Sequence, residues 1–328
     1  MISRLRCFST AVATPALTGT PSAQFKQTQP KFNQKTTTLG LLNPRDVLAK
    51  AKEDWLQSRE LEKNGARLKT LPRLGAIIGP FRQGELTVFT GPTGTGKTTV
   101  LSQMSLDYAA QGVSTLWGSF EIHNHRLVRI MLQQIADPPL GKLDLQTQTG
   151  ASQYEEICRR FGRLPITFLD VHGSTMTDDV IDGMQRAVGT SGVRHVILDN
   201  LQFMLSAQSY SSLDKFDMSD RVVARLRAFA TSMDCHVTLV IHPRKEPDDV
   251  PLGLASISGT AKATQEADNV IVLQKLNDRR YIEVKKNRYS GDLGRVELLF
   301  DPQTRLVREA PAMHDSESKP VEDLHSGI

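Results

Sequence analysis

The stretch Glu85-Leu-Thr-Val-Phe-Thr-Gly-Pro-Thr-Gly-Thr-Gly-Lys-Thr-Thr99 constrains this chain more than any other. An apolar, β-prone run leads into Gly91-x-x-x-x-Gly96-Lys97-Thr98, and an apolar-periodic segment follows. That order is a P-loop. A strand fixes the loop, glycines let backbone N–H groups approach phosphates, and the next helix turns its positive N-terminal end toward them. Gly91, Pro92, Thr93, Gly94, Thr95, Gly96, Lys97, Thr98 and Thr99 are the candidate phosphate-binding residues. Lys97 is expected to reach the β- and γ-phosphates and the Thr98 hydroxyl to hold Mg²⁺. Gly94 and Gly96 permit backbone angles that a side chain would block. Every fixed position agrees with the flanking strand and helix, which separates this segment from an ordinary glycine-rich turn. The chain is therefore expected to bind a nucleoside triphosphate.

A chain of 328 residues that is 39% hydrophobic can build one substantial α/β core with extensions. Its longest apolar runs, such as His236 to Ile241, are strand-sized and far short of the roughly 18 residues of a spanning helix. The cysteines Cys7, Cys158 and Cys235 lack metal-ligand spacing, which argues against both a zinc site and a disulfide framework. Charge is unevenly distributed. Arg4, Arg6, Lys26, Lys31, Lys35 and Arg45 are unopposed by any acid in residues 1 to 45, while the last twenty residues hold five acids and only Lys319. The arm contributes +6 and the tail −4, so the overall +4 leaves +2 for residues 46 to 308. Nucleic-acid contact must therefore come from locally placed charges.

Residues 1 to 20 are Arg-bearing, hydroxyl-rich and acid-free, as in an organelle transit peptide, with mitochondrion favoured over plastid. A basic arm touching nucleic acid is the competing reading. Residues 21 to 44 read as a polar linker. Leu48, Ala51 and Trp55 then recur at helical spacing in a charged segment from Asp46 to Lys63, a helix with too little apolar surface to stand alone. It packs either on its own domain or on a neighbouring subunit. Arg73 to Gly84 reads as a connector to the strand Leu86 to Thr90. Further strands are expected at 114–120, 166–170, 195–199 and 236–241. Helices are expected at 98–110, after an Asn124 cap, at 154–161, from a Thr177 cap to Val188, and at 217–233. Met204 to Lys215 and Pro243 to Thr260 read as loops. Three β segments, 269–276, 281–285 and 295–300, close the domain, and residues 309 to 328 read as an acidic disordered tail. No internal repeat is visible.

Strands alternating with helices imply an α/β domain with a largely parallel sheet, whose ligand chemistry belongs at the carboxyl ends of the strands. Asp199, after the apolar run Val196-Ile197-Leu198, fits a Walker B carboxylate that holds Mg²⁺; a helix cap is the alternative. Glu121, ending the 114–120 strand, is the candidate to deprotonate an attacking water, or else a capping or salt-bridging acid. His242 could sense a γ-phosphate or be a solvated strand-end histidine. Lys286 and Arg288, beside the Ser290-Gly291-Asp292 turn, are either solvated hairpin charges or groups that reach a neighbour's phosphate site.

The segments 84–99, Leu-Trp-Gly-Ser-Phe-Glu121, Ile-Leu-Asp-Asn-Leu-Gln-Phe-Met204, 235–246 and Lys-Lys-Asn-Arg288 together resemble a known family. It is the Twinkle group of mitochondrial replicative DNA helicases, with the phage T7 primase-helicase and DnaB-type hexameric helicases. The resemblance spans about residues 45 to 308, in order. It implies a RecA-like P-loop NTPase core with a C-terminal β-hairpin extension, covering 66–308, and a linker helix at 45–65 that docks on a neighbouring subunit. It also implies a ring of six or seven copies around single-stranded DNA, with ATP and Mg²⁺ bound between subunits. On matching positions, Lys97 and Thr98 bind nucleotide and Mg²⁺, Glu121 is the catalytic base, and Asp199 is the Walker B acid. His242 becomes the γ-phosphate sensor, and Lys286 and Arg288 act in trans. Arg244, Lys245 and Lys262 become candidate DNA contacts in a central channel.

One departure is large, because only about 25 residues of linker precede the helix, where the family carries a primase-like half. Priming is therefore not expected. The resulting expectation is an ATP-dependent 5′ to 3′ DNA helicase of the mitochondrial nucleoid, working with other replication proteins and without membrane insertion. The rivals are a RecA-type strand-exchange ATPase, disfavoured by the Lys-Asn-Arg hairpin, and a nucleotide-regulated annealing or assembly partner of a longer helicase.

Overall fold

The computed structural model describes residues 42–206, 214–244, 250–257 and 261–311. The transit-like arm, most of the polar linker, Lys245 and nearly all of the acidic tail lie outside them. The chain divides into two units, Met1–Lys52 and Glu53–Ile328.

The first helix is α1 (Pro44–Asn64). Its start is set locally: the Asn43 side-chain oxygen accepts the N–H groups of Arg45 and Asp46, and the Asp46 carboxylate accepts that of Asn43. The helix buries none of its residues, and Val47, Leu48, Trp55 and Leu56 are exposed along it.

The second unit is built on a nine-stranded sheet. Its elements in chain order are α2 (Pro72–Ile78), β1 (Leu86–Thr90), α3 (Lys97–Ala110), β2 (Thr115–Ser119), α4 (Asn124–Ile135), α5 (Gln148–Gly162), β3 (Ile166–Phe168) and α6 (Thr177–Ser191). They continue with β4 (His195–Asp199), α7 (Leu201–Ser206), α8 (Asp214–Ser232), β5 (His236–Ile241), α9 (Ala261–Glu266), β6 (Asn269–Leu276), β7 (Arg279–Asn287), β8 (Gly294–Phe300) and β9 (Val307–Glu309). The strand order is β3-β2-β4-β5-β1-β6-β7-β8-β9. Neighbours from β3 through β6 are parallel, and those from β6 through β9 are antiparallel. The expected RecA-like architecture with C-terminal hairpins is thus the one observed.

The central strands β1, β2, β4 and β5 are buried along their whole length, as continuous apolar runs covered on both faces require. Leu86, Val88, Val196, Leu198, Val237 and Leu239 meet α6, α7 and α8 on one face. Phe89, Trp117, Ile197, Val240 and Ile271 meet α2, α3 and α4 on the other. The antiparallel extension begins at a two-residue turn in which Asn277 and Asp278 both have positive φ, 48° and 62°. That is the pairing a tight hairpin needs to follow the twist of its strands.

Several expectations need correction. The segment read as a connector contains α2, whose first-turn N–H groups at Arg73 and Leu74 are accepted by the carboxylate of Glu309, 2.9–3.1 Å away. Glu309 therefore ends β9 and belongs to the fold rather than to a disordered tail. Asn124 and Thr177 are the first residues of their helices; the cap positions are His123 and Met176. Helix α5 begins earlier than its apolar pattern suggested, because Thr147 caps it by accepting the Gly150 N–H. The loop expected from Met204 to Lys215 is shortened at both ends by α7 and α8.

Candidate active site

The four parallel strands β1, β2, β4 and β5 deliver the P-loop, Glu121, Asp199 and His242 to one end of the sheet. The Thr90 hydroxyl donates to the Ile241 carbonyl at 2.6 Å, which ties the ends of β1 and β5 together just before the P-loop and His242. At Gly91 a Cβ would sit 2.0 Å from the Leu273 carbonyl oxygen, so only glycine lets the loop leave β1 this close to β6. Gly94 and Gly96 have φ of +80° and +97°, and Gly96 hands the loop to α3.

Lys97 is buried, and its ammonium donates to the carbonyls of Gly91 and Pro92 at 2.9 and 3.0 Å. Burial lowers its pKa, opposed by the charges of Asp199 and Glu121. The Thr98 hydroxyl donates to Asp199 Oδ2 at 2.6 Å, while Asp199 Oδ1 is buried without a hydrogen-bond partner. Burial pushes the Asp199 carboxyl up to about 6, with the Thr98 hydrogen bond pulling the other way. A buried carboxylate with one unsatisfied oxygen beside a hydroxyl is an all-oxygen donor set that suits a hard divalent cation. Among the described residues no group of three or more His, Cys, Asp or Glu is placed to hold a metal.

Asn200, directly after Asp199, was not singled out in the sequence. Its side chain is fully buried, and its Nδ2 lies 2.8 Å from both Glu121 Oε2 and His242 Nε2. The Gln202 N–H donates to Asn200 Oδ1 at 3.1 Å, which fixes the orientation of the amide. Asn200 therefore donates to both partners, His242 accepts at Nε2, and its proton resides on Nδ1. That Nδ1 is buried and unpartnered. Burial and the nearby Lys97 charge lower the His242 pKa and keep the ring neutral, with Glu121 opposing them.

Lys286 and Arg288 do not join this group. Register places Asn287 opposite Asn269, and Asn269 opposite Thr87, so the pair lies at the amino end of the parallel strands. The P-loop leaves the other end of β1, three residues beyond Thr87, or about 10 Å along the strand. The Lys286 ammonium donates to the Thr264 and Gln265 carbonyls at 2.6 and 3.2 Å, and Arg288 contacts Asp268 at 3.5 Å. Among the candidate DNA contacts, Arg244 is exposed just past His242, with its N–H bonded to the Ser256 carbonyl at 2.8 Å. Lys262 lies in the first turn of α9, and Lys245 is outside the described residues.

Fold and site define a RecA-like P-loop NTPase. The AAA domain family matches residues 56–248, more than half of the chain, and the chain belongs to that family. Two solved structures share its fold. The ATPase domain of G40P aligns with a TM-score of 0.68 at 13% identity, covering 80% of this chain and 98% of that one. A DnaB-like replicative helicase, described with its interactions with primase, aligns with a TM-score of 0.67 at 14% identity, covering 82% and 67% respectively. Among the described residues no helix is long and apolar enough to cross a membrane.

Proposed function

We propose that this chain is the motor subunit of a ring-shaped, ATP-driven 5′ to 3′ DNA helicase of the Twinkle and DnaB type, acting on mitochondrial DNA. The observation that carries the reading is the separation within one chain of the P-loop, Glu121 and Asp199 from Lys286 and Arg288. A second copy supplying that pair would complete the site, which makes assembly a condition of hydrolysis. The exposed α1 helix, with Leu48 and Trp55 unburied, suits docking on that neighbour. The solved structures of similar fold, a DnaB-like replicative helicase among them, support the helicase class.

In this reading Lys97 exchanges the Gly91 and Pro92 carbonyls for the phosphates of ATP, whose negative charge favours the ammonium form against burial. Thr98 and Asp199 hold Mg²⁺, which when bound offsets charge on the phosphates. Glu121 accepts a proton from the attacking water, its carboxylate held in place at Oε2 by Asn200. His242 offers its Nδ1–H as the donor that reads the terminal phosphate. Arg288 and Lys286 of the next copy neutralise charge developing in the transition state, worth about 10³ or more in rate. Arg244, Lys245 and Lys262, repeated around the ring, contact single-stranded DNA without requiring a strongly basic subunit. Residues 1–20 direct the chain to the mitochondrial matrix, where other replication proteins are its partners.

The test is ATP hydrolysis with and without single-stranded DNA, alongside unwinding of a forked duplex. DNA-stimulated hydrolysis with unwinding is the expected result. Stimulated hydrolysis without unwinding at any protein concentration would overturn the helicase reading in favour of an assembly or annealing partner.

A further inference from the structure

The helicase reading assigns Lys286 and Arg288 to a neighbour's nucleotide but does not say what aims them. Both are long, flexible side chains at the end of β7, and Arg288 is about half exposed. Left to solvent, such chains sample many rotamers, and a group that must meet a transition state gains most when its geometry is fixed beforehand.

They are not left to solvent. The Arg288 N–H donates to the Asp268 carbonyl at 2.9 Å, and its guanidinium meets the Asp268 carboxylate through Nη1 and the Gln265 carbonyl through Nη2. Lys286 donates to the Thr264 and Gln265 carbonyls. Both carbonyls belong to the last turn of α9, the end of a helix that carries partial negative charge. The Asp268 carboxylate is in turn fixed from within the fold: Oδ2 accepts the Leu86 N–H of β1 at 2.8 Å and an ion pair from Arg227 of α8, which also donates to the Gly84 carbonyl. One buried acid thus faces the three cations Arg227, Lys286 and Arg288, and it is bonded to the strand that leads into the P-loop.

We infer that Asp268 is a positioning residue for the trans-acting pair, holding Arg288 over the end of α9 so that it is presented to the neighbouring copy. It touches neither nucleotide nor reacting atoms and acts through Arg288. This rests on the reading that Arg288 works in trans.

The experiment uses full chains and mixed assemblies. Asp268→Asn keeps the shape and an acceptor for the Leu86 N–H but removes the charge that holds Arg288. Assemblies of this variant alone are expected to show kcat about tenfold or more below wild type, with KM for ATP changed less than about threefold. Mixed with Lys97→Ala chains, which retain a sound Asp268 and Arg288, it is expected to recover hydrolysis; mixed with Arg288→Ala chains it is not. A chain that merely folds badly would not be rescued by Lys97→Ala. Unchanged kcat for Asp268→Asn, or failure of Lys97→Ala to rescue it while the same partner rescues Arg288→Ala, would overturn the inference. Failure of Lys97→Ala to rescue Arg288→Ala would instead overturn the trans reading beneath it. If Asp268→Asn does not fold, Asp268→Glu, which displaces Arg288 by one methylene, takes its place; full activity of that variant would also overturn the inference.

Discussion

Lowering the pH should strip stability from the amino end of the sheet through His195. Its ring, 4% exposed on β4, lies among Phe81, Tyr108 and His236 with centroids 5.3 to 6.1 Å away. Nε2 meets the Thr238 hydroxyl at 2.9 Å, and Nδ1 has no partner that could stabilise a charge. Burial, with His236 adding to it, drives the His195 pKa well below its ordinary value. The unfolded chain takes up a proton near pH 6.5 while the fold does not, so stability is full above that pH and falls as pH drops below it. At pH 5.5 an unfolded imidazole is about ten to one protonated, which corresponds to a loss of about 1.4 kcal/mol from this residue. Urea unfolding at pH 7.5 and 5.5, for wild type and His195→Phe, measures it. The variant starts from its own stability, having lost the Thr238 contact, but its drop between the two pH values should be smaller by about 1.4 kcal/mol. His236, also lowered by burial, contributes in the same direction in both proteins and cancels in the comparison. Equal drops would refute the reasoning.

Three further outcomes follow from the same geometry. Gly91→Ala should destabilise the fold by about 2 kcal/mol or more, because its Cβ meets the Leu273 carbonyl, whereas Gly94→Ala, with open space around it, should incur only backbone strain of about 1–2 kcal/mol; thermal unfolding separates them. Cation binding measured by calorimetry should weaken about tenfold per pH unit below about 6 as Asp199 protonates, and Asp199→Asn should bind weakly with no such pH dependence. Trp55→Glu on the exposed face of α1 should leave the folded monomer intact but shift sedimenting assemblies toward monomer at a given concentration.

Most of what positions the site was readable in the chain, because it depends on local rules. The P-loop, the buried strands of β1, β4 and β5 and the Asn277-Asp278 turn are each specified by residues within a few positions of one another. The parts that were not readable depend on residues far apart. Helix α2 has a non-side-chain cap at Leu71 and takes its anion from Glu309, more than two hundred residues on, so no local pattern announces it. Asn200 gains its role because three strands bring Glu121 and His242 within 2.8 Å of one amide. The Arg288 anchor is likewise hidden, since Asp268 reads as an ordinary acid before a strand until β1, β7, α8 and α9 converge on it. The proton on His242 Nδ1 follows only once the Asn200 amide is oriented by Gln202.

The central claim is that each hydrolytic site is shared between two copies of the chain. Mixing Lys97→Ala with Arg288→Ala subunits tests it most directly, with ATP turnover measured as a function of mixing ratio. Each variant alone should be nearly inactive, and mixtures should regain turnover with a maximum near equal proportions, because the sound P-loop of one then meets the sound Arg288 of the other. Turnover that stays at the level of the separate variants at every ratio would contradict the claim.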